Sequence, residues 1–152
     1  MTMVKDFPAA LATYAACKLY LRPGEAMELR VEDLGLPLQG HQEGLSLHTI
    51  TIAPQERKKA SKTETFDDTV TVDKPVWLGE LIENFSRGKP VDSPSFRLTT
   101  EEFRDAWSAA WKRLGIRAHP YQLRHAGASI DRLTKTRTAT QIGNRGRWKT
   151  QT

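Results

Sequence analysis

The chain has 152 residues, 38% of them hydrophobic, enough for one core, so a single domain spanning 1–152 is predicted. Lys18, Arg22, Pro23 and Glu25 interrupt the longest apolar stretch and no basic segment precedes a long apolar run, so neither secretion nor membrane insertion is expected and the protein reads as intracellular. The single cysteine, Cys17, cannot form an internal disulfide, and four scattered histidines offer no metal-binding spacing.

Residues 8 to 21 are rich in helix formers, with Leu11, Ala15 and Leu19 spaced to share one face, which predicts a buried helix. Pro23 and Gly24 break it, and a short second helix is expected from Glu25 to Leu29, which puts Arg22 in the joint between the two. From Leu45 the pattern alternates and favours β-branched residues, as it does again at 69–73, so two strands are expected. The polar segment between them suits a hairpin connection, where Lys58, Lys59 and Lys62 read on their own as a solvated turn.

After Pro75, the stripe Leu78, Leu81, Ile82 and Phe85 predicts an amphipathic helix ended by Gly88 and Pro90. Thr99 and Glu102 have capping-box spacing, and Phe103, Trp107, Ala110, Trp111 and Leu114 then fall on one face up to Gly115, a face expected to be core. His119 and Pro120 open a further helix, with Leu123, Gly127, Ile130 and Leu133 expected inward while Tyr121 and Arg124 share a different strip. Past Thr134 little periodicity remains. The predicted fold class is mainly α with a small antiparallel β-sheet, and no internal repeat is present.

The net charge of +5 resides wholly in this last segment, 134–152, since residues 1–133 carry 18 Lys plus Arg against 18 Asp plus Glu. Lys135, Arg137, Arg145, Arg147 and Lys149 therefore form a basic run without an acidic residue, which reads as a solvated tail or as a DNA-contacting surface. Trp148 within it reads as a packing residue or as an indole N–H donor to a phosphate oxygen.

Three pieces, LRPGEAMELRVEDL at 21–34, SKTETFDDTVTVD at 61–73 and YQLRHAGAS at 121–129, resemble in order and spacing the catalytic domain of the tyrosine recombinases, the phage-integrase family. The resemblance covers nearly the whole chain and implies the DNA breaking-rejoining catalytic core. It implies Arg22 as the first catalytic arginine with Glu25 supporting it, Lys62 as general acid with Lys59 as the substitute, and Arg124 as the second arginine with His125 behind it. Trp148 matches the His-or-Trp position that precedes the nucleophile in the family. The implied activity is strand cleavage and rejoining through a 3′-phosphotyrosyl link, with double-stranded DNA and further copies of the protein, as a tetramer on DNA, for partners. No cofactor is implied.

Two positions depart from the pattern. Where the family has histidine three residues before the second arginine, this chain has Tyr121, whose phenol donates a hydrogen bond readily but is a poor base at neutral pH. His119 stands five residues before Arg124, where capping the helix is the expected role. The family's nucleophilic tyrosine falls about nine residues beyond the His-or-Trp position, and the chain ends four residues past Trp148, so the sequence reads as a fragment cut before its nucleophile. A DNA-binding remnant without cutting activity and a type IB topoisomerase are the other functions these residues suit.

Overall fold

A computed structural model describes residues 3–38, 47–53, 57 and 68–148. These residues are mainly helical with a small three-stranded antiparallel sheet. It divides into two compact units, residues 1–27 with 96–152 and residues 28–95. No helix among the described residues is long and apolar enough to cross a membrane.

The first unit opens with α1 (Met3–Leu19), which begins earlier than the predicted start at Pro8. Leu11, Ala12, Ala15, Ala16 and Leu19 are buried along one side. Tyr20 ends the helix in the left-handed region, at φ 53°, and Leu21 N–H donates back to Ala16 C=O at 3.0 Å. Pro23 then starts α2 (Pro23–Glu28), where a residue with fixed φ and no N–H is suited to a first helical position.

The capping box of Thr99 and Glu102 is formed as its spacing predicts, and it opens α4 (Thr100–Leu114), which Gly115 closes at φ 67°. Phe103 and Trp107 are buried on it, but the apolar stripe leaves the core toward its end: Trp111 is half-buried, Ala110 is exposed and Leu114 is 64% exposed.

Helix α5 (Gln122–Leu133) corrects the predicted inward face. Ile130 and Leu133 are 43% and 82% exposed, and the buried positions are Arg124, Gly127, Ala128 and Asp131, at i, i+3, i+4 and i+7. The reason is close approach: a Cβ on Gly127 would lie 1.9 Å from the Cys17 carbonyl oxygen, so α1 and α5 pack backbone against helix face with no room for leucine-sized side chains. A further helix, α6 (Ala139–Gly146), occupies the segment where little periodicity was found. Its start is a second capping box, Thr138 with Gln141, and Arg147 ends it in the left-handed region.

The second unit holds β1 (Leu34–Gly35), β2 (His48–Ile52) and β3 (Asp68–Val72) in that order, with Leu34 opposite Ile50 and Ile50 opposite Val70. The two longer strands are those expected; β1, two residues long, is too short to show alternation. His48, Ile50, Ile52, Val70 and Val72 are buried, and α3 (Trp77–Ser86) packs on β2 with Leu78 and Ile82 inward. Leu29 C=O accepts from Ser95 N–H at 2.8 Å, closing this unit's two chain ends together. Asp33, buried, is paired with Arg57, which also donates to Glu28 C=O at 3.1 Å.

Candidate functional site

The Arg-x-x-Glu spacing has a local structural cause. Glu25 sits in the first turn of α2 and reaches back to accept from Arg22 N–H at 2.7 Å, satisfying one of the donors that a helix N-terminus leaves open. Its other oxygen accepts from Arg22 Nη1 at 2.9 Å, so one carboxylate fixes both the backbone and the side chain of Arg22. The Arg22 side chain is 13% exposed.

Helix α5 brings Arg124 into the same unit, fully buried. It donates from Nη2 to the carbonyl of Gly146, and its guanidinium carbon lies 4.8 Å from the centre of the Trp148 ring. Trp148 folds back over the end of α6: a Cβ on Gly146 would fall 1.9 Å from a carbon of that ring, so only glycine admits the contact. The Trp148 ring also meets His125, stacked at 5.7 Å and 24°, and Tyr20, tilted at 6.1 Å. Arg147 Nη2 then donates to Glu25 Oε2 at 2.6 Å and to Tyr20 C=O at 3.5 Å.

One carboxylate thus serves two guanidiniums, and a third stands close enough to be perturbed by both. The Arg124 guanidinium is lowered to about 10 by burial first and then by the charges of Arg22 and Arg147, with Glu25 opposing. It remains a cation at neutral pH. Among the described residues three positive groups here face one negative, an excess of two positive charges, and hydrogen-bond capacity is left over: within that set Arg22 Nε and Arg124 Nε and Nη1 are buried without a partner. A buried donor without an acceptor costs about 1–3 kcal/mol, more when charged, which an anion with several oxygens would offset. Arg124 is fully buried, so an anion that fills its donors must displace part of what covers them, the Trp148 ring included.

A second polar cluster braces the first. Tyr20 Oη donates to Asp131 Oδ2 at 2.5 Å, and Arg137 Nε pairs with the same oxygen at 3.0 Å. Burial, then the Asp131 hydrogen bond and its charge, push the Tyr20 phenol far above its ordinary value, so this hydroxyl is a fixed donor and a poor nucleophile. Arg145 donates from Nη2 to Lys18 C=O at 3.1 Å. Arg137, Arg145 and Arg147, read from sequence as cations of a basic tail, therefore make internal contacts that hold α6 and its approach to α1, while Lys135 is exposed.

Tyr121 is 36% exposed at the start of α5, with its ring 5.4 Å from that of His125. His119 caps the same helix start: its Nδ1 accepts from Tyr121 N–H at 3.2 Å, and its own N–H donates to Gln122 Oε1 at 2.7 Å. Lys59, Lys62 and Lys149 lie outside the described residues. Of the expected catalytic set, Arg22, Glu25, Arg124, His125, Tyr121 and Trp148 belong to one compact unit. Asp131 and the specific role of Arg147 escaped the sequence reading, although the seven-residue step from Arg124 to Asp131 was a usable signal. Among the described residues no cluster of His, Cys, Asp or Glu could hold a metal ion. No protein-family model matches the chain, and no curated protein matches it significantly.

Proposed function

We propose that this chain is the phosphate-binding catalytic domain of a DNA strand-breaking and rejoining enzyme of the tyrosine recombinase type. The observation that carries the reading is the association of Arg22 with Arg124, far apart in sequence, around Glu25 and Trp148, with donors left over on both guanidiniums. A phosphodiester carries one negative charge and gains a second as a nucleophile adds to phosphorus. An excess of two positive charges suits that transition state better than the ground state, which is the condition for acceleration. Guanidiniums fit the task because they present planar, permanently protonated pairs of donors to adjacent oxygens.

On this reading a tyrosine attacks a backbone phosphodiester, the 5′-oxygen leaves with a proton, and the phosphodiester energy is kept in a 3′-phosphotyrosyl link until the 5′-hydroxyl returns. The arginines take the charge that metal ions neutralise in other phosphoryl-transfer enzymes, and Lys62 supplies the proton. Tyr20 is engaged with Asp131, which makes it unsuited to be the nucleophile. Trp148 donates its indole N–H to a non-bridging oxygen once its ring is off Arg124. Double-stranded DNA is the substrate, held mainly through phosphates, and recombination further needs several copies assembled on two duplexes.

One observation favours a second reading, a domain that grips DNA without cutting. Tyr121 stands where the resemblance leads one to expect a base, and a phenol is a poor one at neutral pH. A type IB topoisomerase would use the same residues without exchanging strands.

Fluorescence anisotropy on a labelled duplex across a salt series tests the shared core of these readings. Arg22→Ala and Arg124→Lys, each checked for a cooperative melt, are expected to weaken binding about tenfold or more, since each loses charge-assisted hydrogen bonds to phosphate. Unchanged affinity and salt slope in both variants would remove the arginine pair from DNA recognition.

A further inference from the structure

Trp148 is both a proposed phosphate donor and the cover over Arg124, so whatever sets its position governs access to the site. The residue before it, Arg147, has φ 55° and ψ 34°, a left-handed conformation that disfavours any side chain but suits the turn ending α6. Glycine would adopt it without strain. An arginine here needs a compensating contact, and it has one in Glu25 Oε2 at 2.6 Å, the carboxylate that also fixes Arg22. The Arg147 side chain is 8% exposed, so the pair is shielded from water and salt.

We propose that Arg147 is a positioning residue, a latch whose ion pair with Glu25 holds the end of α6 against the α1–α2 joint and so keeps the Trp148 ring closed over the Arg124 guanidinium. Two geometric facts make the latch specific. The turn is one residue long, so a displaced Arg147 carries Trp148 with it, and Gly146, under the ring, lets the indole lie against Arg124, His125 and Tyr20. Opening the latch would bare Arg124 and leave Glu25 to Arg22 alone, one oxygen on its backbone N–H and the other on its guanidinium. The latch bears on phosphate access only if the proposed function is right, whereas the control of Trp148 by Arg147 stands on the geometry alone.

The test compares Arg147→Gly, Arg147→Met and Arg147→Lys in the full chain. Trp148 is read by acrylamide quenching, with Trp148→Phe subtracting the other tryptophans, and Arg124 by phenylglyoxal labelling with peptide mapping. Gly relieves the backbone but cannot reach Glu25. The latch therefore predicts about a twofold rise in Trp148 quenching and new labelling of Arg124 in both the Gly and Met variants, with Lys restoring much of the protection through its charge. If the position mattered only as a turn, Gly would leave Trp148 and Arg124 as protected as in the parent, and that result overturns the proposal. A Met variant that does not fold leaves the Gly variant to decide. Because neither readout involves DNA, a failed latch and a failed DNA-binding reading are told apart by the Arg22 and Arg124 variants described above.

Discussion

Gly127→Ala should damage the fold and the site together. The added methyl would stand 1.9 Å from the Cys17 carbonyl oxygen, 2.9 Å from its carbon and 3.1 Å from Tyr20 Cδ1. The first two are backbone atoms of α1, which cannot swing aside as a side chain can. To reach an ordinary separation of about 3.5 Å, the helices must part by roughly 1.5 Å along that contact. Overpacking of this kind costs about 1–3 kcal/mol, and the rigid backbone partner argues for the upper end, which for a chain of this size is a fall in melting temperature of roughly 6–12 °C. Helix propensity runs the other way, favouring Ala over Gly by up to about 1 kcal/mol, and does not reverse the sign. The helices that part carry the two arginines' supports: α1 leads into Arg22, and α5 carries Arg124 and Asp131. Urea denaturation gives the stability change, and the Tyr20 to Asp131 hydrogen bond, 2.5 Å in the parent, should lengthen in a crystal structure of the variant. A variant as stable as the parent, with that bond intact, would refute the close approach of α1 and α5.

Tyr20→Phe removes a buried donor from Asp131 and should cost about 1–3 kcal/mol in urea denaturation at neutral pH. Since burial and Asp131 raise the Tyr20 phenol above its unfolded value, its contribution is complete below the ordinary tyrosine range and is lost as pH climbs beyond it. The difference between parent and variant should therefore shrink on the alkaline side, and a difference that grows there would contradict the assignment. Thr138→Ala deletes the cap of α6, where Thr138 Oγ1 accepts from Gln141 N–H at 3.2 Å, and should cost about 1 kcal/mol by the same assay. The Cys17 thiol is pushed up by burial, with Lys18 opposing and Asp131 adding to the rise. It should react with a disulfide reagent at neutral pH more slowly than in the urea-unfolded chain, and equal rates would place it at the surface.

Elements whose signals are local were legible in the sequence. Thr99 with Glu102, Pro23 with Gly24 and the alternation through His48–Ile52 each state their structure within a few residues, because capping, fixed φ and strand pleat are short-range effects. The inward face of α5 was misread because apolarity was taken as the mark of burial. There the buried face is Arg124, Gly127, Ala128 and Asp131, and what makes it inward is a hydroxyl, a carbonyl and a ring offered by residues 17, 20 and 148. The basic segment misled in the same way. Counting charge along the chain marks Arg137, Arg145 and Arg147 as solvent-seeking, yet each finds a carboxylate or carbonyl that only folding brings near. Within that segment the Thr138 and Gln141 capping box was available and would have announced α6. The candidate site was readable as a set of residues by resemblance, whereas its geometry, a carboxylate shared by two guanidiniums beneath a tryptophan cover, was not.

The most direct measurement is a titration of the chain with a short DNA duplex, following the arginine Nε–H signals by NMR. Arg22 Nε and Arg124 Nε have no hydrogen-bond partner among the described residues. If the two arginines receive a backbone phosphate, both signals should move together and saturate with duplex binding, as a guanidinium does on gaining a charged acceptor. Saturable binding of the duplex with both signals unmoved would contradict a shared phosphate site.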